Sequence, residues 1–540
     1  MRELASGRQS HAGPIAPSEF ALKPQHLLIL LAYTAAIFLF NLGGGRGLTH
    51  HELYVAEGAR EMLHLRDWIV PRILNEPWLE KPPLAHWMIS ASFLIGGVTE
   101  TAARMPSAIC GTIGVVLLAR LAAAWYGSSF GLLVGLIQAT TVYTLTYARL
   151  AEADIYLWAI VMGCIYLFGV EQIGPAPRKP RRWRRVLFWA LVGLTQYAKG
   201  PLFGAVMALV PCLLFAGLTR DRARLRWFFC PPGWIVCAIA AVAWPTAVLL
   251  KYPETAQLWY THTFARIAGD HVINPEPWWL YFYTTPWQVL PWTLFGCAAI
   301  VPTVKTAWRE PASIDRFLWL WLAGLFVVLS VPSAKHHHYL IYALPPFSFW
   351  AARMLLPVAR WTGLIFGGTR RFAICTAVTA VLTCAGVIVA RQRFPNIATD
   401  IAWMAPTLWL AFAVVIYLCV REMWDWAAGA LFAGIAAIVL LVHQITMPRL
   451  DRRHPDIDML QRLQTQLTAQ DQVVSLSGDM RRQWFYLNRD IKFGAGAVAL
   501  SRTPGVYLIY ELNAPIVIPA AVKLERIDRG ATLAVDRVIR

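Results

Sequence analysis

Two acids, a scatter of cations and a run of histidines carry the chemistry this chain can offer. The stretch THHELYVAEGAREMLHLRDWIVPRILNEPWLEKPPLAHW, residues 49–87, directly follows a membrane-length apolar run, yet it holds His51, Glu52, Glu80, Lys81 and the Pro82-Pro83 pair. A structural loop at a membrane surface seldom needs so many ionisable groups, and this one reads as part of a site. Glu52 is ionised at neutral pH and can act as a general base. Equally, it can cap the helix that Tyr54 to Leu65 is expected to form. A second acid, Asp154, closes the run RLAEAD where two apolar runs meet, and carboxylates at such depth are costly unless paired or used.

Cations accompany both acids. Lys81, Arg266 and Lys335 recur at loop positions, Lys335 in the run SAKHHHY that ends at Tyr339. Arg and Lys stabilise phosphate charge and can stay near the interface by snorkelling, so a phosphate group is the natural guest. For Lys335 the alternative is ordinary anchoring at a span end. The triple histidine 336–338 cannot readily chelate one ion by itself, because consecutive residues point in different directions. A metal there would need partners such as Glu80, His262 or His271.

The elements that must position these groups are membrane spans. Of 540 residues 57% are hydrophobic and only 15% charged, too apolar for a soluble chain of this length. Apolar runs, all but one of about 17 to 25 residues, enough to cross the hydrocarbon core, predict thirteen spans: 24–44, 104–124, 129–148, 155–173, the shorter 186–199, 202–219, 234–251, 287–304, 317–333, 339–357, 372–391, 402–420 and 425–446. Residues 24–44 read as a retained signal-anchor, and the short apolar run 84–97 as a helix lying in the interface.

The net charge of +18 does not point to nucleic acid, because its excess sits in short loops: 178–185 (RKPRRWRR), 220–226, 305–316 and 360–371. The positive-inside rule puts these clusters in the cytoplasm. Glu52, Lys81, Asp154, Lys199, Arg266, Lys335 and Tyr339 then share the outer surface, as do all histidines except His11, His26 and His443. The nine cysteines lie in or beside apolar runs without a CxxC pair, so neither disulfides nor thiolate metal sites are expected. The expected organisation is mainly α: a transmembrane domain at 1–446 with outer loops 45–103 and 252–286, then a small soluble α/β domain at 447–540. In that tail, 457–467 reads as an amphipathic helix, and 473–476 and 506–512 as strands.

Taken together, AEGAREML, DWIVPRI, EKPPLAHW, RLAEAD and KHHHYLIYALPP resemble the GT-C glycosyltransferases, with similarity to the aminoarabinose transferases of lipid A and to the wider protein O-mannosyltransferase-like group. The resemblance implies a sugar donor on a polyprenyl phosphate and inverting transfer on the periplasmic side of a bacterial inner membrane to lipid A or another envelope glycan. It also implies that Lys81, Arg266 and Tyr339 hold the donor phosphate, with Lys335 beside them, and that Asp154 is the acid of the second loop. Glu80 and His262 stand where a loop-ordering divalent metal would bind, although the chemistry requires no cofactor. The aminoarabinose transferases typically carry Asp-Glu in the first loop, and here His51 takes the first position. Either Glu52 fills the acidic role or the chemistry differs.

The residues fit such a reaction on their own terms. A phosphate leaves readily, so the transition state chiefly needs cations for the departing charge and, for a hydroxyl acceptor, a base. A lipid-linked-sugar transporter or flippase is the competing class, but transporters favour midplane ionisable residues in broken helices and inverted repeats. A third reading, a receptor or assembly partner of the same fold, is motivated by His51.

Overall fold

The computed structural model describes residues 21–539 apart from 45, 201, 220, 262–274, 356–368, 394, 396–397, 400, 452–453, 494–500 and 514–521. It is mainly helical, and its N-terminal half is built from α1 (Pro24–Leu39), α2 (His50–Leu65), α3 (Leu84–Gly96), α4 (Glu100–Tyr126), α5 (Ser128–Thr140), α6 (Val142–Tyr147), α7 (Ala153–Gln172), α8 (Arg182–Leu194), α9 (Gln196–Lys199), α10 (Phe203–Leu218), α11 (Arg222–Trp227) and α12 (Pro231–Lys251). Among the described residues five helices are long and apolar enough to cross a membrane: α4, α7, α12, Ile374–Arg393 and Trp426–Arg449. Five more apolar helices, α1, α3, α5, α10 and Met404–Val420, are shorter.

Several of the runs read as single spans are interrupted. Residues 129–148 divide at Thr141 into α5 and α6, and residues 186–199 divide at Thr195, whose hydroxyl bonds back to the Val192 carbonyl at 2.6 Å. Residues 339–357 begin in a 3-10 turn, His337–Tyr342, before the helix Pro345–Leu355. The helices Ile300–Arg309 and Ile314–Ser330 meet at 108°. The site lies beside three of these breaks.

α7 fixes the two faces of the molecule. Its N-terminal turn carries Asp154, and its last turn carries Glu171, about 26 Å away at 1.5 Å per residue. Glu171 accepts from Arg184 Nη1 at 3.0 Å, the Arg181 backbone at 3.1 Å and Trp227 Nε1 at 2.8 Å, so the basic loop after α7 folds onto its far end. Asp315 and Arg353 make another pair, 2.7 Å apart. The basic loop and Asp154 thus occupy opposite ends of one buried, membrane-length helix.

The loop between α2 and α3 is pinned by tryptophans that the sequence presents as membrane-belt residues. Trp87 donates to the Trp68 carbonyl at 2.7 Å, Trp244 to Ile69 at 2.8 Å and Trp259 to Leu79 at 2.7 Å. Each large ring buries apolar area while its N–H satisfies a loop carbonyl. A two-strand ribbon, β1 (Arg72–Ile73) and β2 (Glu76–Pro77), turns the chain back toward Lys81.

Beyond the helices, β3 (Val473–Ser475), β4 (Tyr507–Glu511), β5 (Leu524–Arg529) and β6 (Leu533–Val538) form one sheet in the order β3-β4-β6-β5, parallel between β3 and β4 and otherwise antiparallel. The helices His454–Gln466 and Met480–Leu487 accompany it. This segment touches the first loop directly. Leu48 donates its backbone N–H to the Tyr486 hydroxyl at 3.0 Å, Gly47 to Asp451 at 2.7 Å, and the Arg481 guanidinium lies 4.1 Å over the Tyr54 ring. Tail and first loop therefore lie on the same side.

Candidate functional site

A corner where α1, α2, α4 and the RLAEAD run converge is held by Glu52. This residue is fully buried at the N-terminus of α2 and completes a capping box, accepting from the Thr49 backbone at 2.9 Å while its own N–H donates to the Thr49 hydroxyl at 3.2 Å. Arg104 of α4 donates Nε to Oε1 at 2.7 Å and Nη2 to Oε2 at 3.1 Å, Arg46 stands 3.5 Å from Oε2, and the Ala151 N–H reaches Oε1 at 3.0 Å. Burial pushes the carboxyl up, but the Arg104 guanidinium and these hydrogen bonds prevail and hold it near 2. Arg149 completes the corner, giving Nη1 to the Ile37 and Phe38 carbonyls at 2.8 and 2.9 Å and so capping the end of α1.

That corner delivers Asp154. One of its oxygens takes Lys199 Nζ and the Tyr342 hydroxyl, the latter at 3.1 Å, and the other lies 3.9 Å from His338 Nε2. Lys199 ends α9, and the chain leaves it through Gly200 in the left-handed region (φ 81°), where a side chain would be strained. The Lys199 ammonium also sits 4.1 Å from the centre of the Tyr339 ring and 5.3 Å from that of Phe203, a cation over two aromatic faces.

The 3-10 turn explains why two tyrosines reach the same lysine and acid. In this geometry side chains three apart eclipse, so Tyr339 and Tyr342 share one face, and both pack on Phe203 with ring centres 5.2 and 5.7 Å away. Of the three histidines, His338 alone approaches Asp154. Burial drives its imidazole down to about 3 despite the neighbouring carboxylate, so it is neutral at pH 7. His337 Nδ1 meets the Tyr143 hydroxyl, and His336 stacks on His338 at 5.3 Å.

The remaining sequence candidates are distributed as follows. Lys81 is exposed on the loop before α3, within electrostatic reach of Asp154 and His51. His51 is also exposed, and burial of part of its ring, followed by the charges of Lys81 and His50, lowers its pKa. Lys335 is buried and donates Nζ to the Ser330 carbonyl at 2.7 Å, the end of the helix Ile314–Ser330. Its ammonium thus complements a helix C-terminus. Arg266, His262 and His271 lie outside the described residues. Glu80 is exposed, and among the described residues no three His, Cys, Asp or Glu side chains stand close enough to hold a metal ion.

Four contributors escape a reading of the sequence as site residues. Arg104 reads as the start of a span, and Lys199 as one outer-face charge among many. Nothing in the sequence marks Tyr342 beyond its apolar run. Glu152 is visible in RLAEAD, where two acids two residues apart are the available signal. It is half-buried, and burial, followed by Asp154 and Glu52, raises its carboxyl to about 7 against the opposing pull of Lys81 and Lys199.

Comparison with known proteins agrees with this architecture. Over residues 80–244 the chain matches the dolichyl-phosphate-mannose-protein mannosyltransferase family. It is 25% identical over 433 residues to the undecaprenyl phosphate-alpha-4-amino-4-deoxy-L-arabinose arabinosyl transferase of Serratia proteamaculans, covering 76% of this chain and 75% of that one. With the protein of that name from Pseudomonas savastanoi it is 26% identical over 379 residues, 67% of this chain and 66% of the other. Its fold matches the crystal structure of ArnT from Cupriavidus metallidurans bound to undecaprenyl phosphate with a TM-score of 0.79 at 18% identity, covering 94% and 97% of the two chains.

Proposed function

We propose that this multi-pass membrane protein of GT-C fold is an inverting glycosyltransferase that takes a sugar from an undecaprenyl-phosphate-type donor at the periplasmic face of the inner membrane and passes it to lipid A or another envelope glycan. The observation that carries the reading is the joint likeness in sequence and fold to the aminoarabinose transferases over three quarters or more of the chain. The outer corner supports it chemically. Lys81 and Lys199, with Arg266 as the resemblance implies, supply positive charge for a departing phosphate, and Tyr339 packs against the Lys199 ammonium. Asp154 holds Lys199 in place and balances its charge.

In this scheme Glu52 is a positioning residue. Arg104, Arg46, Thr49 and Ala151 already engage it, so it ties α2 and α4 to the loop that carries Asp154. Lys335 donates to the C-terminal carbonyl of the helix Ile314–Ser330 and takes a structural role in this scheme.

The test is in vitro transfer. Purified protein in proteoliposomes, given undecaprenyl-phosphate-linked 4-amino-4-deoxy-arabinose and purified lipid A, should yield a glycosylated acceptor and free undecaprenyl phosphate. Translocation of the donor without any new glycosidic bond would instead identify a transporter.

A further inference from the structure

Three carboxylates crowd the corner between α2 and α7, and two of them are held in ion pairs. Glu52 is claimed by Arg104, Arg46, Thr49 and Ala151. Asp154 holds Lys199 and the Tyr342 hydroxyl on one oxygen, with His338 3.9 Å from the other. A general base must take up a proton, and protonating either acid would remove the charge on which its buried ion pair depends.

Glu152 differs from both. It occupies the N-cap position of α7 in an extended conformation (φ −130°, ψ 152°), where a carboxylate would ordinarily cap the helix, yet its side chain makes no capping bond. Among the described residues its carboxylate has neither a hydrogen bond nor an ion pair, and it stays half-buried. Its position is nevertheless fixed. The preceding residue, Ala151, is bonded to Glu52, and the Glu152 N–H donates to the Leu150 carbonyl at 2.8 Å. The charged and titratable groups around it are Asp154 on its own helix, Glu52 of α2, Lys81 of the first loop, Lys199 of α9 and Tyr147 of α6.

We infer that Glu152 is the general base of the transfer reaction, accepting the proton of an acceptor hydroxyl. This rests on the glycosyltransferase reading above and deepens it by naming the acceptor group. The acceptor oxygen forms its bond to the anomeric carbon as the bond from that carbon to the phosphate oxygen breaks. The electron pair leaves with the polyprenyl phosphate, whose charge Lys81 and Lys199 stabilise, and the hydroxyl proton passes to Glu152. Because the group titrates near neutral pH, it suits that role, being basic enough to take a proton and ionised in part at working pH.

The experiment uses full-length protein in proteoliposomes, an undecaprenyl-phosphate-linked 4-amino-4-deoxy-arabinose donor and a total envelope glycolipid extract as acceptor, with kcat and donor KM followed across roughly pH 5 to 9, spanning the expected titration. Wild-type kcat should rise with pH through an inflection near 7. Glu152→Gln should lower kcat roughly a hundredfold or more, leave donor KM within about twofold, and lose the inflection. Glu152→Asp should regain part of the rate together with a pH inflection. A Glu152→Gln protein with wild-type kcat and pH profile overturns the assignment while leaving the glycosyltransferase reading intact. So does one whose loss appears wholly in donor KM. A wild-type protein that forms no glycosidic product at any pH overturns both.

Discussion

Arg104 grips both oxygens of Glu52, Nε to Oε1 at 2.7 Å and Nη2 to Oε2 at 3.1 Å, and gives its remaining N–H groups to the carbonyls of Leu42, Arg46 and Gly47 at 2.9 to 3.1 Å. One guanidinium thereby joins α4, the end of the first apolar helix and the start of α2. The corner owes its shape to this node, since the glutamate in turn fixes Ala151 and the residues that follow it.

Breaking the pair from either side should therefore destabilise the fold before it affects the chemistry. Removing one partner of a buried ion pair costs about 3–5 kcal/mol, chiefly because the other charge is left uncompensated. Arg104→Met and Glu52→Gln should each lower the unfolding temperature in detergent, and the double variant should lose less than the sum of the two. Additive losses would show that the two groups act independently.

The same node predicts a response to acid. The folded-state pKa of Glu52 lies near 2, below its ordinary value of 4.5. Its contribution to stability is thus fully present above about 4.5 and is lost as pH falls toward 2. Thermal unfolding followed from about pH 6 to about pH 3 should show wild-type stability falling on the acid side, with a shallower fall in Glu52→Gln. Parallel curves for the two proteins would remove Glu52 from the acid response.

These relationships also define what can be read from the chain. The density of ionisable groups after the first apolar run and the placement of Asp154 at a span mouth are legible, because charge beside apolar sequence is a local signal. What Glu52 does is not. A capping acid and a base look alike until the partners are known, and Arg104, the decisive one, is 52 residues away. Lys199 and Tyr342 are hidden by secondary structure. The sequence reads each as part of an unbroken span, whereas the break at Thr195 and the 3-10 turn His337–Tyr342 aim both at Asp154. The count of thirteen spans rests on run length alone, and apolar runs do not announce where they bend.

Lys81 and Lys335 should separate cleanly under substitution. Lys81 is exposed beside the acidic corner, whereas the Lys335 ammonium is bonded to Ser330. Lys81→Ala should weaken transfer by raising donor KM, lowering kcat or both. Lys335→Met should lower thermal stability while donor KM stays within about twofold. A large rise in donor KM in Lys335→Met would return that residue to the phosphate site.

Asp154 and Lys199 provide the sharpest test of the site itself. The acid positions the ammonium between the carboxylate and the Tyr339 ring, so neutralising it leaves a lysine free to swing away from the departing phosphate. A preorganised electrostatic contact of this kind is worth roughly a hundredfold or more in kcat. Asp154→Asn and Lys199→Met should each show a loss of that order. Lys199→Arg should recover only part of it, because a planar guanidinium does not reproduce a compact ammonium over the ring. If the two act as a unit, the double variant Asp154→Asn, Lys199→Met should be little worse than either single change. Multiplying losses, measured as initial rates of undecaprenyl phosphate release, would mean that each residue touches the reaction separately.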